Sequence, residues 1–419
     1  MKQSGIDWIG EIPDDWKISK AKTILRNKSI KNHPDAEVLS LYRDLGIVPK
    51  NSRDDNHNVT SDDTASYKFV QKGELVLNKM KTWQGSLAVS DYEGIVSPAY
   101  YVCEFTNQEI DKKYIHYLLR NKMYAQEFER LSTGLRVGQW DLNIDDFLNT
   151  PIVYPPKKAT QQRIAEYLDK KVSEIDSIIE ESKKSIEEYK AWKKSVIFEA
   201  VTGKNLNCKK KDSGIEWIGE IPDGWEVRAL KTLFRIFSGS TPKSDRAEFW
   251  DGDIKWITPA DFSTEDIFIS NGKRNISNKG FKSHSLEMIP AGNLIFSKRA
   301  PIGKVCINTD EICTNQGCLA CVKKIDLNIK FFYYFISTLT EYFELLGSGT
   351  TFKEISLSAF SDFKISYPPL SEQECIAKML DSKCAQIDSL IAEKESLIAD
   401  LTEYKKSLIF EVVTGKRSV

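Results

Sequence analysis

The chain is poor in catalytic vocabulary. Its four histidines, His33, His57, His116 and His284, are scattered through 419 residues, so no Ser–His–Asp arrangement is visible. No Gly-x-x-x-x-Gly-Lys-Ser/Thr loop occurs, because Thr202-Gly203-Lys204 lacks the upstream glycines and closes a helical stretch, which excludes a phosphate-binding P-loop there. The Tyr-Pro-Pro tripeptides at 154–156 and 367–369 lack the preceding Asp or Asn of an amino-methyltransferase word. No apolar run approaches the roughly 18 residues of a membrane span. The opening MKQSGIDW has no signal-peptide pattern, so the expected location is cytoplasmic. Cysteine usage is irregular, with eight residues (103, 208, 306, 313, 318, 321, 375 and 384) that read as free thiols rather than a disulfide frame. Cys306, Cys313, Cys318 and Cys321 are close enough in sequence to raise the question of zinc. Cys318–Val322 reads as a strand, whose alternation sends Cys318 and Cys321 to opposite faces, and no Gly/Pro knuckle is present.

A strong charge excess is missing too. The formal net charge is −1, with 28% charged and 41% hydrophobic residues, as in a soluble globular protein. That average excludes a protein that coats nucleic acid through bulk charge. It hides a local excess, since residues 227–304 carry 13 Lys/Arg against 8 Asp/Glu. Such a surface either meets phosphate or is simply solvated.

What the chain does have is a repeat. SGIDWIGEIPDDW at 4–16 returns as SGIEWIGEIPDGW at 213–225, and SVIFEAVTGK at 195–204 returns as SLIFEVVTGK at 407–416. The offsets are 209 and 212, and Tyr154-Pro155-Pro156 recurs as Tyr367-Pro368-Pro369. Between these words lie two dissimilar stretches, Trp16 to Tyr154 and Trp225 to Tyr367. One unit has been duplicated in tandem, with a repeated frame and unlike contents. Pro13-Asp14-Asp15-Trp16-Lys17 resembles part of a nuclease signature, but its copy Pro222-Asp223-Gly224-Trp225-Glu226 loses the lysine, so a turn that docks an N-terminal arm is the better reading.

The frame includes two long helices. No Gly or Pro interrupts 160–201 or 371–413. Ser371-x-x-Glu374 has the spacing of a capping box, and Gly203 and Gly415 suit the left-handed position after a helix. Leu390, Lys394, Leu397, Leu401, Tyr404 and Leu408 follow a heptad rhythm, matched in the first copy by Ile178, Ser182, Ser185, Tyr189, Trp192 and Val196, with Ile175, Ile179 and Ile186 widening the stripe. A helix of this length spans about 60 Å. Its apolar seam needs a partner, and the other helix is the matched one. Packing on its own module, or on a second copy of the chain, is the alternative. An antiparallel pair would relate two α/β modules by an approximate twofold axis.

In the second module, Phe237–Pro242 is a turn, Phe249–Thr258 is a turn leading into a strand, Gly292–Ser297 and Gly303–Ile307 form a strand pair joined at 298–302, and Phe331–Leu346 is helical, like Tyr114–Leu131 in the first. Gly73–Lys81 with Gly85 aligns with Gly292–Arg299 and Gly303, Ser97-Pro98 falls where Asn315-Gln316 falls, and 132–134 lies near 348–350. A shared fold with different polar tips is the pattern expected when tips choose a ligand.

Taken together, these words resemble the specificity subunit of type I restriction-modification systems. The resemblance rests on the tandem Trp-Ile-Gly-Glu-Ile-Pro-x-x-Trp segments, the Tyr-Pro-Pro helix starts and the Thr-Gly-Lys helix ends. In the second module it extends to Gly239-Ser240-Thr241-Pro242, Trp250–Ile254, Trp256–Asp261 and Thr314-Asn315-Gln316. The first module departs from it, carrying Ser40–Gly46 in place of the Gly-x-Thr-Pro and Trp-Asp-Gly words. The resemblance implies an α+β fold, a tandem pseudo-twofold duplication of two target recognition domains joined by two long antiparallel coiled-coil helices. The domains would be 1–156 and 205–369, with helices in 157–204 and 370–419. It implies a non-catalytic subunit whose domains each read half of a split double-stranded DNA target while the helices act as a ruler. Two methyltransferase subunits with S-adenosylmethionine and two motor-nuclease subunits using ATP and Mg would be its partners. A span of about 60 Å corresponds to roughly 17 base pairs. The candidate DNA-contacting residues are Tyr42, Arg43, Lys79, Lys81, Arg136, Gln139 and Trp140 in the first module. In the second they are Thr241, Lys243, Lys298, Arg299, Asn315, Gln316, Thr351 and Lys353. Each cation is a solvated surface charge in the alternative reading, Asn315-Gln316 an amide pair bonding the backbone, and Trp140 a core residue. Two other classes compete: a fused catalytic chain, which the missing motifs oppose, and a structural coiled-coil adaptor with protein ligands at its tips.

Overall fold

The computed structural model describes residues 1–43, 45–52, 64–134, 140–263, 266–284, 286–299, 301–348 and 353–419. They form two compact units, Met1–Lys183 with Glu395–Val419, and Lys184–Lys394. Each unit holds one α/β module and a stretch of both long helices. No helix among the described residues is long and apolar enough to cross a membrane.

The modules share a plan. In the first, an antiparallel sheet has the order Leu25–Lys28, Tyr100–Phe105, Leu75–Asn78, Leu87–Val89. In the second, the order Phe234–Ser238, Cys318–Lys323, Leu294–Ser297, Val305–Asn308 repeats it, and Phe268–Ile269 adds a parallel edge strand. The strand pair expected around 298–302 is present, with Leu294 opposite Ile307. Cys318 and Cys321 do point to opposite faces and enter separate cores. Among the described residues no His, Cys, Asp or Glu group is placed to hold a metal ion. Each expected long helical stretch is two helices, Lys112–Arg120 with Lys122–Leu131 and Ile329–Ser337 with Thr340–Leu346. In the first module the break falls at Asn121, whose side chain accepts the Tyr124 N–H and caps the second helix.

A short strand pair ties each module to its long helix. Lys17–Lys20 pairs with Pro151–Tyr154, and Glu226–Ala229 pairs with Lys364–Tyr367, so each Tyr-Pro-Pro ends a strand and turns the chain into the helix. The first long helix spans Lys158–Thr202 and the second Leu370–Val413. The second starts one residue before Ser371, so the expected capping box does not form. The Glu372 and Gln373 N–H groups bond Pro369 C=O, and the Glu372 carboxylate accepts the Trp225 indole N–H at 2.8 Å.

Both glycine ends are as expected, with φ of 72° at Gly203 and 73° at Gly415. At the first, the Gly203 and Lys204 N–H groups bond the Ala200 and Glu199 carbonyls, the double closure of a Schellman motif. A Cβ at Gly203 would lie 2.5 Å from Pro222, and one at Gly415 2.3 Å from Pro13. Each repeated helix end therefore seats on a repeated Pro-x-x-Trp turn, which also anchors the short hairpin before it.

The helices pair antiparallel. In the first unit the start of the first helix lies with the end of the second, and Lys405 meets Asp176 at 2.6 Å. In the second unit the order is reversed, and Lys193 meets Asp388 at 2.7 Å. The seam keeps Ile175, Ile179, Ser182, Ile186, Leu401 and Leu408 of the expected one and differs from it at Ile178, Trp192, Leu390, Leu397 and Tyr404. Ile175, Ile179, Ser182 and Ile186 are buried, as are Leu380, Cys384, Ile387 and Leu408, with Ile391, Ile398 and Leu401 half-buried. Ile178 (44% exposed), Trp192 (48%), Leu390 (37%), Leu397 (38%) and Tyr404 (47%) flank the seam. Two rows one residue apart satisfy the same rhythm, and the sequence does not say which faces the partner.

Candidate nucleic-acid interface

In the second module the motif words converge on one tip. Gly239 lets the 238–242 turn lie against the strand end at Thr314, since a Cβ there would sit 1.9 Å from the Thr314 carbonyl oxygen. The Ser240 N–H bonds that oxygen at 3.0 Å. Two indoles hold the turn from behind, Trp256 Nε1 donating to Ser240 C=O and Trp250 Nε1 to Lys243 C=O, each at 3.1 Å. Thr241 Oγ1 then reaches the exposed Gln316 and donates to its Oε1. Asn315 turns inward, its Oδ1 accepting the Gly317 N–H at 2.8 Å. For Asn315 the backbone-bonding reading holds, and for Gln316 it does not.

Lys298 and Arg299 sit beside this loop, where the Lys298 N–H bonds Gly317 C=O. Both side chains pair with Glu354, at 2.8 and 3.3 Å, and the Lys298 hydrogen bond holds that carboxyl below its usual range. Thr241, Asn315, Gln316, Lys298 and Arg299 are thus brought together. Lys353 is exposed next to Glu354, Lys243 is exposed just after the turn, and Thr351 lies outside the described residues.

The first module builds its tip differently. Lys79 and Lys68 approach the Tyr101 ring, their Nζ atoms 4.7 and 5.3 Å from its centre. Burial, then the charges of Lys79 and Lys31, push the Lys68 ammonium pKa down. Lys81 is exposed nearby, and Trp140 is half-buried with its ring 5.1 Å from that of Trp83. Tyr42 ends the strand Leu39–Tyr42 and lies near Tyr100, whose hydroxyl bonds Asn78. Arg43 is exposed, and its carbonyl accepts from Arg120. Arg136 and Gln139 fall outside the described residues. Sequence reasoning missed Lys68 and Tyr101. The available signal was a lysine opening an otherwise apolar strand, Lys68–Val70.

Beneath the unlike tips the scaffold corresponds bond for bond. Lys79 N–H donates to Ala99 C=O as Lys298 N–H does to Gly317 C=O, and Leu142 N–H bonds Lys79 C=O as Ile355 N–H bonds Lys298 C=O. Thr133 pairs with Asp141 as Ser348 does with Glu354.

Each module is also pinned to its own long helix by the same three groups. Asp169 accepts from Lys113 Nζ at 2.7 Å and Tyr117 Oη at 2.8 Å, and Asp381 accepts from Lys330 Nζ and Tyr334 Oη at the same distances. The fully buried Gln161 accepts the Asp111 N–H and donates to Pro155 C=O, and Gln373 does the same with Asn328 and Pro368.

Two unlike polar tips on one repeated, helix-pinned frame define a duplicated recognition scaffold. The family model described as type I restriction modification DNA specificity domain matches the chain twice, over 13–188 and 222–398, and the chain belongs to this family. The type I restriction enzyme MjaIX specificity subunit of Methanocaldococcus jannaschii is 39% identical over 181 residues, a match spanning 42% of this chain and only 41% of that subunit. The putative type I restriction enzyme MjaX specificity subunit of the same organism is 26% identical over 443 residues, covering 97% of this chain and 95% of its own length. A solved chain from work on complex assembly and conformational transition of the type I R-M system has a TM-score of 0.77 at 16% identity, covering 97% of this chain and 100% of that one. The HsdS subunit from Thermoanaerobacter tengcongensis has a TM-score of 0.59 at 15% identity over 100% of both chains. At these identities the structural likeness concerns the fold.

Proposed function

We propose that this chain is the non-catalytic DNA-specificity subunit of a type I restriction-modification complex, each module reading one half of a bipartite duplex target in the major groove. The observation that carries this reading is the bond-for-bond match of the two scaffolds beneath unlike tips. A shared scaffold positions two readers alike, and different tips select different bases. In the first module Lys79 and Lys81, with Lys68 behind them, offer phosphate contacts. Tyr42, Arg43, Arg136 and Gln139 are the further contacts there. In the second module Thr241, Gln316, Lys298 and Arg299 form the centre, with Lys243, Asn315, Thr351 and Lys353 around it. The paired helices set the distance between half-sites. Their exposed apolar flank, Ile178, Leu397 and Tyr404 in one unit and Trp192 and Leu390 in the other, is suited to docking two methyltransferase subunits, which carry S-adenosylmethionine. Two motor-nuclease subunits using ATP and Mg complete the complex in the cytoplasm.

The same apolar flank favours a second reading, an adaptor whose ligands are all proteins. Binding to duplex DNA across a salt series separates the two. The DNA reading predicts a fall in log K with log salt of about 0.9 per phosphate contacted. A flat response, or no binding with the methyltransferase present, rejects it in favour of the adaptor.

A further inference from the structure

One position differs between the tips in a way that bears on the base read. The turn at 315–317 is the counterpart of the turn at 97–99. Asn315 Oδ1 accepts the Gly317 N–H at 2.8 Å, and Ser97 Oγ accepts the Ala99 N–H at 3.4 Å. The apex residue is exposed in both cases, Gln316 in one and Pro98 in the other. The backbone is kept while the side chain changes from one with no polar group to one with two donors and an acceptor. The two modules therefore differ here in the side chain and not in the turn.

An exposed glutamine is normally free to rotate, and ordering it costs side-chain entropy. Here it is already held, because Thr241 donates to its Oε1 and Thr241 is itself fixed by the Gly239 approach and the Trp256–Ser240 bond. The Thr241 bond leaves one Oε1 lone pair. The Nε2 hydrogens have no partner among the described residues. One acceptor beside one donor on a planar amide matches the N6–H and N7 edge of adenine, whereas guanine offers two acceptors there and cytosine a lone donor. The neighbouring Arg299, the side chain best suited to guanine, is engaged by Glu354.

We infer that Gln316, oriented by Thr241 as a positioning residue, is the adenine reader of the second module. The inference rests on the DNA-reading proposal and narrows it to one side chain and one base. The test is selection from a randomised duplex pool by the full chain with its methyltransferase subunit, for the wild type, Gln316→Ala, Gln316→Glu, Thr241→Val and Thr241→Ser. The wild type should yield a split motif. Gln316→Ala should flatten one adenine column in one half, its preference falling about tenfold, and leave the other columns intact. Gln316→Glu should move that column toward cytosine. Thr241→Val should weaken the same column, and Thr241→Ser, which keeps the hydroxyl, should restore it. The inference is overturned if the motif survives Gln316→Ala unchanged, or if the affected column prefers another base in the wild type. It also falls if every Gln316 variant loses both halves together, since the residue would then hold the fold. A wild type that selects no motif overturns the DNA-reading proposal itself, a result distinct from these.

Discussion

At the apex of the same turn, one module carries Pro98 and the other Gln316. One residue after corresponding strands, Lys79 lies over a tyrosine ring while Lys298 pairs with Glu354. The first tip keeps its charge available around an aromatic, and the second neutralises part of its charge around a fixed amide. Below the tips the backbone bonds of Lys79 and Lys298 and the two helix clamps correspond. A duplicated scaffold can therefore diverge freely where side chains leave the fold, and hardly at all where they hold it.

The sharpest break of this comparison is a change in the frame. Gly203→Val forces a β-branched residue to a φ of 72° and drives its Cβ into Pro222. It should cost the second unit about 3 kcal/mol or more and lower its melting transition, with the transition of the first unit unmoved in calorimetry.

Acid should separate the units next. Burial pushes the His116 imidazole down to about 3 from its ordinary 6.5, and the ring accepts the Val89 N–H at 3.2 Å. Tyr333 stands at the corresponding place, and burial raises its pKa to about 12. A depressed histidine contributes stability that is present above its unfolded pKa and lost as pH falls toward its folded value. Between pH 7 and 5 the first unit should lose on the order of 1–2 kcal/mol that the second keeps. His116→Gln should remove most of that pH dependence in urea titrations.

The helix clamps are predicted to matter less for stability than for geometry. Asp169→Ala or Asp381→Ala should each cost about 1 kcal/mol, since both carboxylates are partly exposed. On the ruler reading, either change should blur the gap length in a selected target while both half-site sequences persist. Unchanged gaps would detach the clamps from spacing.

Smallest is the effect of Glu354→Gln. Releasing Lys298 and Arg299 should steepen the salt slope of DNA binding by about 1 and raise non-specific affinity. An unaltered slope would mean that neither cation reaches phosphate.

Much of this was legible in the sequence because it is written twice. The Thr-Gly-Lys ends, the Tyr-Pro-Pro turns and the uninterrupted helices each had a copy to check against. Where two choices satisfy one rule, sequence reading failed. Leu390 and Ile391 both start a heptad row, and only the packing decides between them. Ser371 met the spacing of a cap, but the helix begins before it. The second tip was readable because its words Gly239–Pro242, Trp250, Trp256 and Thr314–Gln316 meet in space. The first tip has no such words. Lys68 and Tyr101 sit on strands of two different sheets and become neighbours only where those sheets pack, which no local pattern reports.

The most direct test of two unlike readers on one frame is a methylation map. The chain would be expressed with its methyltransferase subunit in a host lacking other modification, and modified adenines located genome-wide by single-molecule sequencing. The account predicts one split motif with two different halves and a fixed gap. A single contiguous motif, or two identical halves, would contradict it.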